Sequence, residues 1–158
     1  MSDRVPMTQA GYDHLKAELK RLKTEERPKN VEEIAEALAH GDLSENAEYH
    51  AAKERQGHIQ GRIAALDDKL ARAQVIEQGA GDPQKVQFGV TVVLTDLESD
   101  EKVTYRIVGE DEADPKQGMI SVTSPVARAL MNKQVDDEVI VKAPKGDREL
   151  EILEIRFD

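Results

Sequence analysis

The chain has 158 residues, a net charge of −10 and no cysteine. Its length sets one large or two small domains, and the missing cysteines exclude disulfides and thiolate-held zinc. The acidic balance argues against a surface that grips free duplex DNA, which calls for a basic field.

In chain order, the first element is a long helix opened by Met7-Thr8. Thr8 is its N-cap, and Met7 and Tyr12 are spaced as a hydrophobic staple. Tyr12, Leu15, Leu19 and Leu22 follow 3-4-3 spacing, the seam of a coiled coil. Pro28 interrupts it, and a proline inside a helix kinks or restarts it. Val31, Ile34 and Leu38 resume the spacing out of phase with the first run, because Leu22 and Val31 are nine residues apart. A kink or phase change near Pro28 is therefore expected. Lys16, Lys20, Arg21, Lys23, Arg27 and Lys29 crowd this stretch, either as a solvated face or as a basic patch near a phosphodiester backbone.

A second helix is expected from about residue 44 to 76, with Ile59, Ile63, Leu66, Leu70 and Ala73 as its seam. Two helices joined by a few residues pack side by side and antiparallel. At about 30 residues each, they form an arm of roughly 45 Å. Residues 35–52 are rich in alanine, which lets the helices approach closely and thins the tip. Residues 1–78 are read as this arm.

Residues 79–85 are turn formers and mark a linker. From 86 onward the period falls to two. Strands are expected at 86–95, 102–108, 119–123, 138–143 and 150–157. The alternation of the last slips at Leu153, by a β-bulge or by burial on both faces. Ser124-Pro125 opens a short helix, Ser124 as N-cap and Pro125 at the first helical position, with Val126, Ala129 and Leu130 on its apolar face. The chain is thus α+β: a helical hairpin, then an antiparallel sheet with one helix over residues 86–158. The longest apolar run is Val92-Val93-Leu94, far short of the roughly 20 residues of a membrane helix. The opening residues lack a signal-peptide core. A soluble cytoplasmic protein is expected.

The turn between the two helices carries the chemistry. Asp42, Glu45 and Glu48 are spaced i, i+3, i+6, which brings side chains onto one helical face. Asp42-x-x-Glu45 reads in two ways. It has the form of a capping box, favoured by the helix dipole, and it is also a pair of hard oxygen donors suited to Mg²⁺. Gly41 suits the close of the first helix. Ser44 and Asn46 shape the turn or touch a partner. Tyr49 packs across the arm or stacks on a base. Lys53 and Arg55, below the tip, are placed to meet phosphates. His40 and His50 flank the turn.

Gly41-Asp42-Leu43-Ser44-Glu45-Asn46-Ala47-Glu48-Tyr49-His50, with Ala51-Ala52-Lys53-Glu54 after it, resembles the signature of the Gre family of bacterial transcript-cleavage factors. Residues 105–114 and 120–128 are similar to that family's C-terminal domain, so the resemblance spans nearly the whole chain. It implies a factor that is not itself an enzyme and has no cofactor of its own. Its partners would be bacterial RNA polymerase and the 3′ end of backtracked RNA. The arm would enter the polymerase secondary channel, and the globular domain would dock at the channel rim through Ser121, Ser124 and Pro125. Asp42 and Glu45 would act as catalytic carboxylates, holding a Mg²⁺ shared with the polymerase active site to promote cleavage of the RNA. The resemblance also implies a monomer and a C-terminal domain of the FK506-binding-protein type. Relatives often carry arginine where this chain has Leu38, which implies a preference for short backtracked ends. The rival readings are a channel-binding inhibitor of the same architecture, a free-standing prolyl isomerase, and a passive coiled-coil adaptor.

Overall fold

The computed structural model describes residues 3–41, 46–77, 79 and 83–157. The chain divides into two compact units. One is built mainly from Tyr12–Ala73. The other joins Val5–Gly11 to the chain from Gln74 onward.

Strand β1 (Val5–Met7) leads into helix α1 (Gln9–Arg21), a π-helical turn (Leu22–Glu26) and helix α2 (Arg27–Ala39). Thr8 caps α1 as expected: its Oγ1 accepts from Gly11 N–H at 3.0 Å. The phase change lies in the π turn, where Arg27 N–H donates to Leu22 O, five residues back. A regular turn would press the Pro28 ring into the carbonyl four residues earlier, and a wider turn just ahead of it accommodates the ring. The π turn inserts one residue into the seam. An unbroken 3-4 repeat from Leu22 would turn positions 29 and 36 inward. The buried side chains are instead Asn30 and Ala37. This corrects the expected second half of the seam: Val31 is 57% exposed and Leu38 46%, and Ile34 is half-buried.

Helix α3 (Ala47–Ala71) supplies the opposing face. Ala52, Ile59, Ile63 and Leu66 are buried on it, the last three as the spacing predicts, whereas Leu70 and Ala73 are only half-buried. Its 25 residues make about 37 Å, shorter than expected, because the chain passes at Ala73 into strand β2 (Ala73–Val75). Strands β1 and β2 pair as a small sheet, too short for alternation to reveal. Asn30 is 1% exposed, and its Nδ2 donates to Ala52 O at 2.9 Å. A polar residue inside an apolar seam sets register at some cost in stability. Along the flanks, Arg62 donates to both oxygens of Glu18 (2.7 and 2.9 Å), Arg55 to Glu26 (2.5 Å), and Lys23 lies 3.6 Å from Asp67. Exposed pairs of this kind contribute about 0.2–1 kcal/mol each.

In the second unit, strands β3 (Val90–Asp96), β4 (Lys102–Val108), β5 (Met119–Ser121), β6 (Glu138–Val141) and β7 (Arg148–Phe157) form one sheet in the order β5-β4-β3-β7-β6. The sheet is mixed, which corrects the antiparallel expectation: β4 and β5 run parallel. Two 3₁₀ turns (Glu110–Glu112 and Pro115–Gln117) and Gly118 at φ 75° bring the chain back to run beside β4 in the same direction. Alternation marks a strand but not its direction. The irregularity at Leu153 is a bulge. Val93 faces Glu154 while Leu94 faces Ile152, so Leu153 is the extra residue and Ile152 and Ile155 both reach the core. Helix α4 (Pro125–Leu130) closes that core through Ala127 and Leu130, both fully buried, with Val126 and Ala129 half-buried.

Leu66 is fully buried in a thin seam, and the hairpin has little around it to collapse into the space. Leu66→Ala should destabilise the arm by about 2–5 kcal/mol, read as a lower urea midpoint of helical circular dichroism. The Glu18 carboxyl is held below its ordinary value of 4.5, first by the Arg62 hydrogen bond; partial burial opposes this, and the charges of Arg62, His14 and Arg21 add to it. A depressed carboxylate stabilises the fold above its unfolded value and loses that contribution as pH falls through the folded value. Thermal melts below about pH 4.5 should therefore fall more steeply for the wild type than for Glu18→Gln.

Candidate functional site at the tip of the arm

The tip is built by two helix ends that one side chain joins. Helix α2 closes with i→i−3 bonds, His40 N–H to Ala37 O at 3.2 Å and Gly41 N–H to Leu38 O at 3.4 Å. Gly41 then takes φ 105°, a left-handed geometry that glycine adopts without a Cβ clash. Helix α3 starts from Asn46 in extended backbone. Its Oδ1 accepts from Tyr49 N–H at 3.0 Å, while its Nδ2 donates to Ala37 O at 2.6 Å. One amide thus satisfies a free donor at the start of α3 and a carbonyl near the end of α2.

This corrects the expected helix start at residue 44. The cap of α3 is Asn46. Asp42, Ser44 and Glu45 lie outside the described residues. Among the described residues no three His, Asp or Glu side chains converge as a metal site.

Behind the tip, Tyr49 is half-buried, its ring edge-on to His50 at 5.7 Å. Lys53 is exposed and bonds within its own helix, to Gln56 Oε1 at 2.9 Å. Arg55 reaches across the hairpin to Glu26, so its charge is already paired. Glu33, Glu36, Glu48 and Arg55 rim a groove of about 380 Å³ floored by Ala37 and Ala52. Three carboxylates against one guanidinium make that flank acidic, a poor surface for phosphates.

In the sheet unit, Ser121, Ser124 and Pro125 come together at the turn from β5 into α4. Ser124 Oγ accepts from Ala127 N–H at 3.3 Å, and Pro125 begins the helix. Ser121 Oγ lies 2.7 Å from Thr123 Oγ1, which donates to Glu110 at 3.1 Å. Two structural anchors escaped the sequence reading. Asn30 was missed because nothing in the spacing marks a π turn. Glu112 was missed because its partner Thr8 is remote in sequence. Its carboxylate accepts from Thr8 N–H and Gly109 N–H, both at 3.1 Å, and from the Thr8 hydroxyl.

Residues 5–75 match the family model described as the N-terminal part of a transcription elongation factor. Residues 81–157 match that for the C-terminal part of transcription elongation factor GreA/GreB. The chain is 57% identical to transcription elongation factor GreA of Trichlorobacter lovleyi, over 100% of both chains. It is 61% identical to the protein of that name from Anaeromyxobacter sp. (strain K), over 98% of this chain and 93% of that one. Among solved structures, that of the transcription factor Gfh1 aligns over 98% of this chain and 99% of its own, at 31% identity and a TM-score of 0.48.

Replacing Asn46 tests the double cap. Asn46→Ala should cost about 1–2 kcal/mol and speed amide exchange over the first turn of α3. Asn46→Asp keeps the bond from Tyr49 N–H but loses the donor to Ala37 O, so its loss should fall between the two. An Asn46→Ala protein with unchanged exchange at Tyr49 would rule the cap out.

Proposed function

The chain belongs to the GreA/GreB family of transcription elongation factors, and from that premise we propose that it acts on bacterial RNA polymerase by delivering the arm tip through the secondary channel to backtracked RNA. There it stimulates cleavage of the extruded 3′ end and rescues the arrested complex. The observation that carries this reading is the Asn46 clamp. It binds two helix ends together at the end of a helix about 37 Å long.

The chain's own residues do three things in this reading. The alanine-lined seam at Ala37 and Ala52 keeps the end of the arm narrow. The acidic flank formed by Glu33, Glu36 and Glu48 repels RNA phosphates from the sides of the arm and leaves the tip as the point of contact. Asp42 and Glu45 supply hard oxygen donors, and Ser44, Asn46, Tyr49 and Lys53 contact the RNA or the polymerase. A Mg²⁺ held there and shared with the polymerase would supply Lewis-acid and water-activating chemistry for phosphodiester hydrolysis. Two carboxylates alone would hold such a cation only weakly, so further ligands would have to come from the polymerase, the RNA and water. The factor therefore completes another enzyme's site. In the sheet unit, Ser121, Ser124 and Pro125 meet the channel rim.

A stalled, backtracked elongation complex with labelled RNA tests the proposal. Wild-type protein should release short 3′ fragments. The Asp42→Ala/Glu45→Ala variant should compete for the same polymerase site yet slow release by at least about tenfold. A wild-type chain that binds and blocks synthesis without releasing fragments would make it an inhibitor.

A further inference from the structure

Arg106 stands apart from the other charged groups of the sheet. Among the described residues, its Nε is a buried side-chain nitrogen with no hydrogen-bond partner, and no ion pair reaches its guanidinium. Buried polar groups are nearly always paired, and an unpaired one costs the free chain stability. The register fixes its surroundings. Ile107 points into the core, so Arg106 projects from the opposite face of the sheet. On that face it lies in a row with Met119 on β5, Thr91 on β3 and Arg156 on β7. Arg156 has a carboxylate neighbour, Glu154, at 3.3 Å; Arg106 has none.

We propose that Arg106 is an anchor held open for one carboxylate of the polymerase, the partner named in the reading above, on which this inference rests. No hydrogen bond secures the guanidinium in its present pose, so re-aiming it breaks no polar contact. A carboxylate can then engage two of its N–H groups in parallel, the strongest geometry arginine offers. A phosphate backbone is the poorer occupant. Residues 78–158 hold 10 Lys/Arg against 17 Asp/Glu, a field that repels a polyanion at range but still admits a single acid at contact distance. The neighbours suit a protein surface: Met119 offers a half-buried apolar side chain, and Ser121, two positions along β5 on the same face, a hydroxyl.

Arg106→Met separates this role from a structural one. The free variant should melt at or above the wild-type temperature, because an unpaired buried donor has been replaced by an apolar side chain of similar length. Its affinity for RNA polymerase, measured by titrating labelled full-length protein, should fall about tenfold or more. A lower melting temperature would make Arg106 a structural residue and overturn the proposal, as would unchanged polymerase affinity. Arg106-dependent binding of a single-stranded RNA oligonucleotide would identify a phosphate as the occupant and overturn it too. A wild-type chain that does not bind polymerase would sink the functional reading and this inference together; wild-type binding that Arg106→Met leaves intact sinks this inference alone.

Discussion

The two helices of the hairpin pack on each other along one seam, and the register of that seam decides where the far end of the hairpin stands. A globular core tolerates a slipped contact because neighbours on other sides hold it, whereas a hairpin has no such neighbours. A slip of one residue would shift the tip by about 1.5 Å and turn every inward side chain aside. The arm answers with polar pins at intervals. Asn30 donates to the backbone at Ala52, and Asn46 ties the start of α3 to Ala37. Neither bond contributes more than about 1.5 kcal/mol net, but each is met in one register only.

The π turn follows from the same constraint. Pro28 cannot continue a regular α turn, and a break there would sever the seam between its two halves. Widening one turn keeps the backbone helical and moves the inward positions by one, which brings Asn30 and Ala37 to the seam. The cost is visible on the outside, where Val31 and Leu38 face solvent. The seam also grades along its length, from Leu66 and Ile63 near the base to Ala52 and Ala37 near the tip. Bulk gives stability where the arm leaves the chain's first strands, and small side chains give slenderness where the proposed function requires it.

The sheet unit is organised by a conventional core, with departures from regularity at its margins. The Leu153 bulge turns two residues three apart toward the same interior. Gly118 reverses the chain so that β5 joins the sheet in parallel. Glu112 collects two donors from remote Thr8 and one from nearby Gly109 and so ties the first residues of the chain to the edge of the sheet. Arg106 is the opposite case, a charged group whose buried Nε has no hydrogen-bond partner among the described residues.

Local periodicity by itself determined much of this protein. Leucine and isoleucine spacing gave the two helices and their antiparallel pairing, and β-branched alternation gave five strands. The slip at Leu153 marked the bulge, and Thr8 and Ser124 marked their helix starts. Each of these depends on neighbours within one or two turns of the chain, which is why a linear reading reaches them. Tertiary structure decided the rest. Whether Val31 or Asn30 faces the seam depends on the hydrogen-bond count of one turn, which composition does not encode. That Asn46 caps α3 and also reaches the end of α2 depends on how the two helix ends meet. The direction of β5 depends on the path of a loop. Asn30, Glu112 and Arg106 acquire meaning only from groups far away in sequence, or from their absence, and no spacing records either.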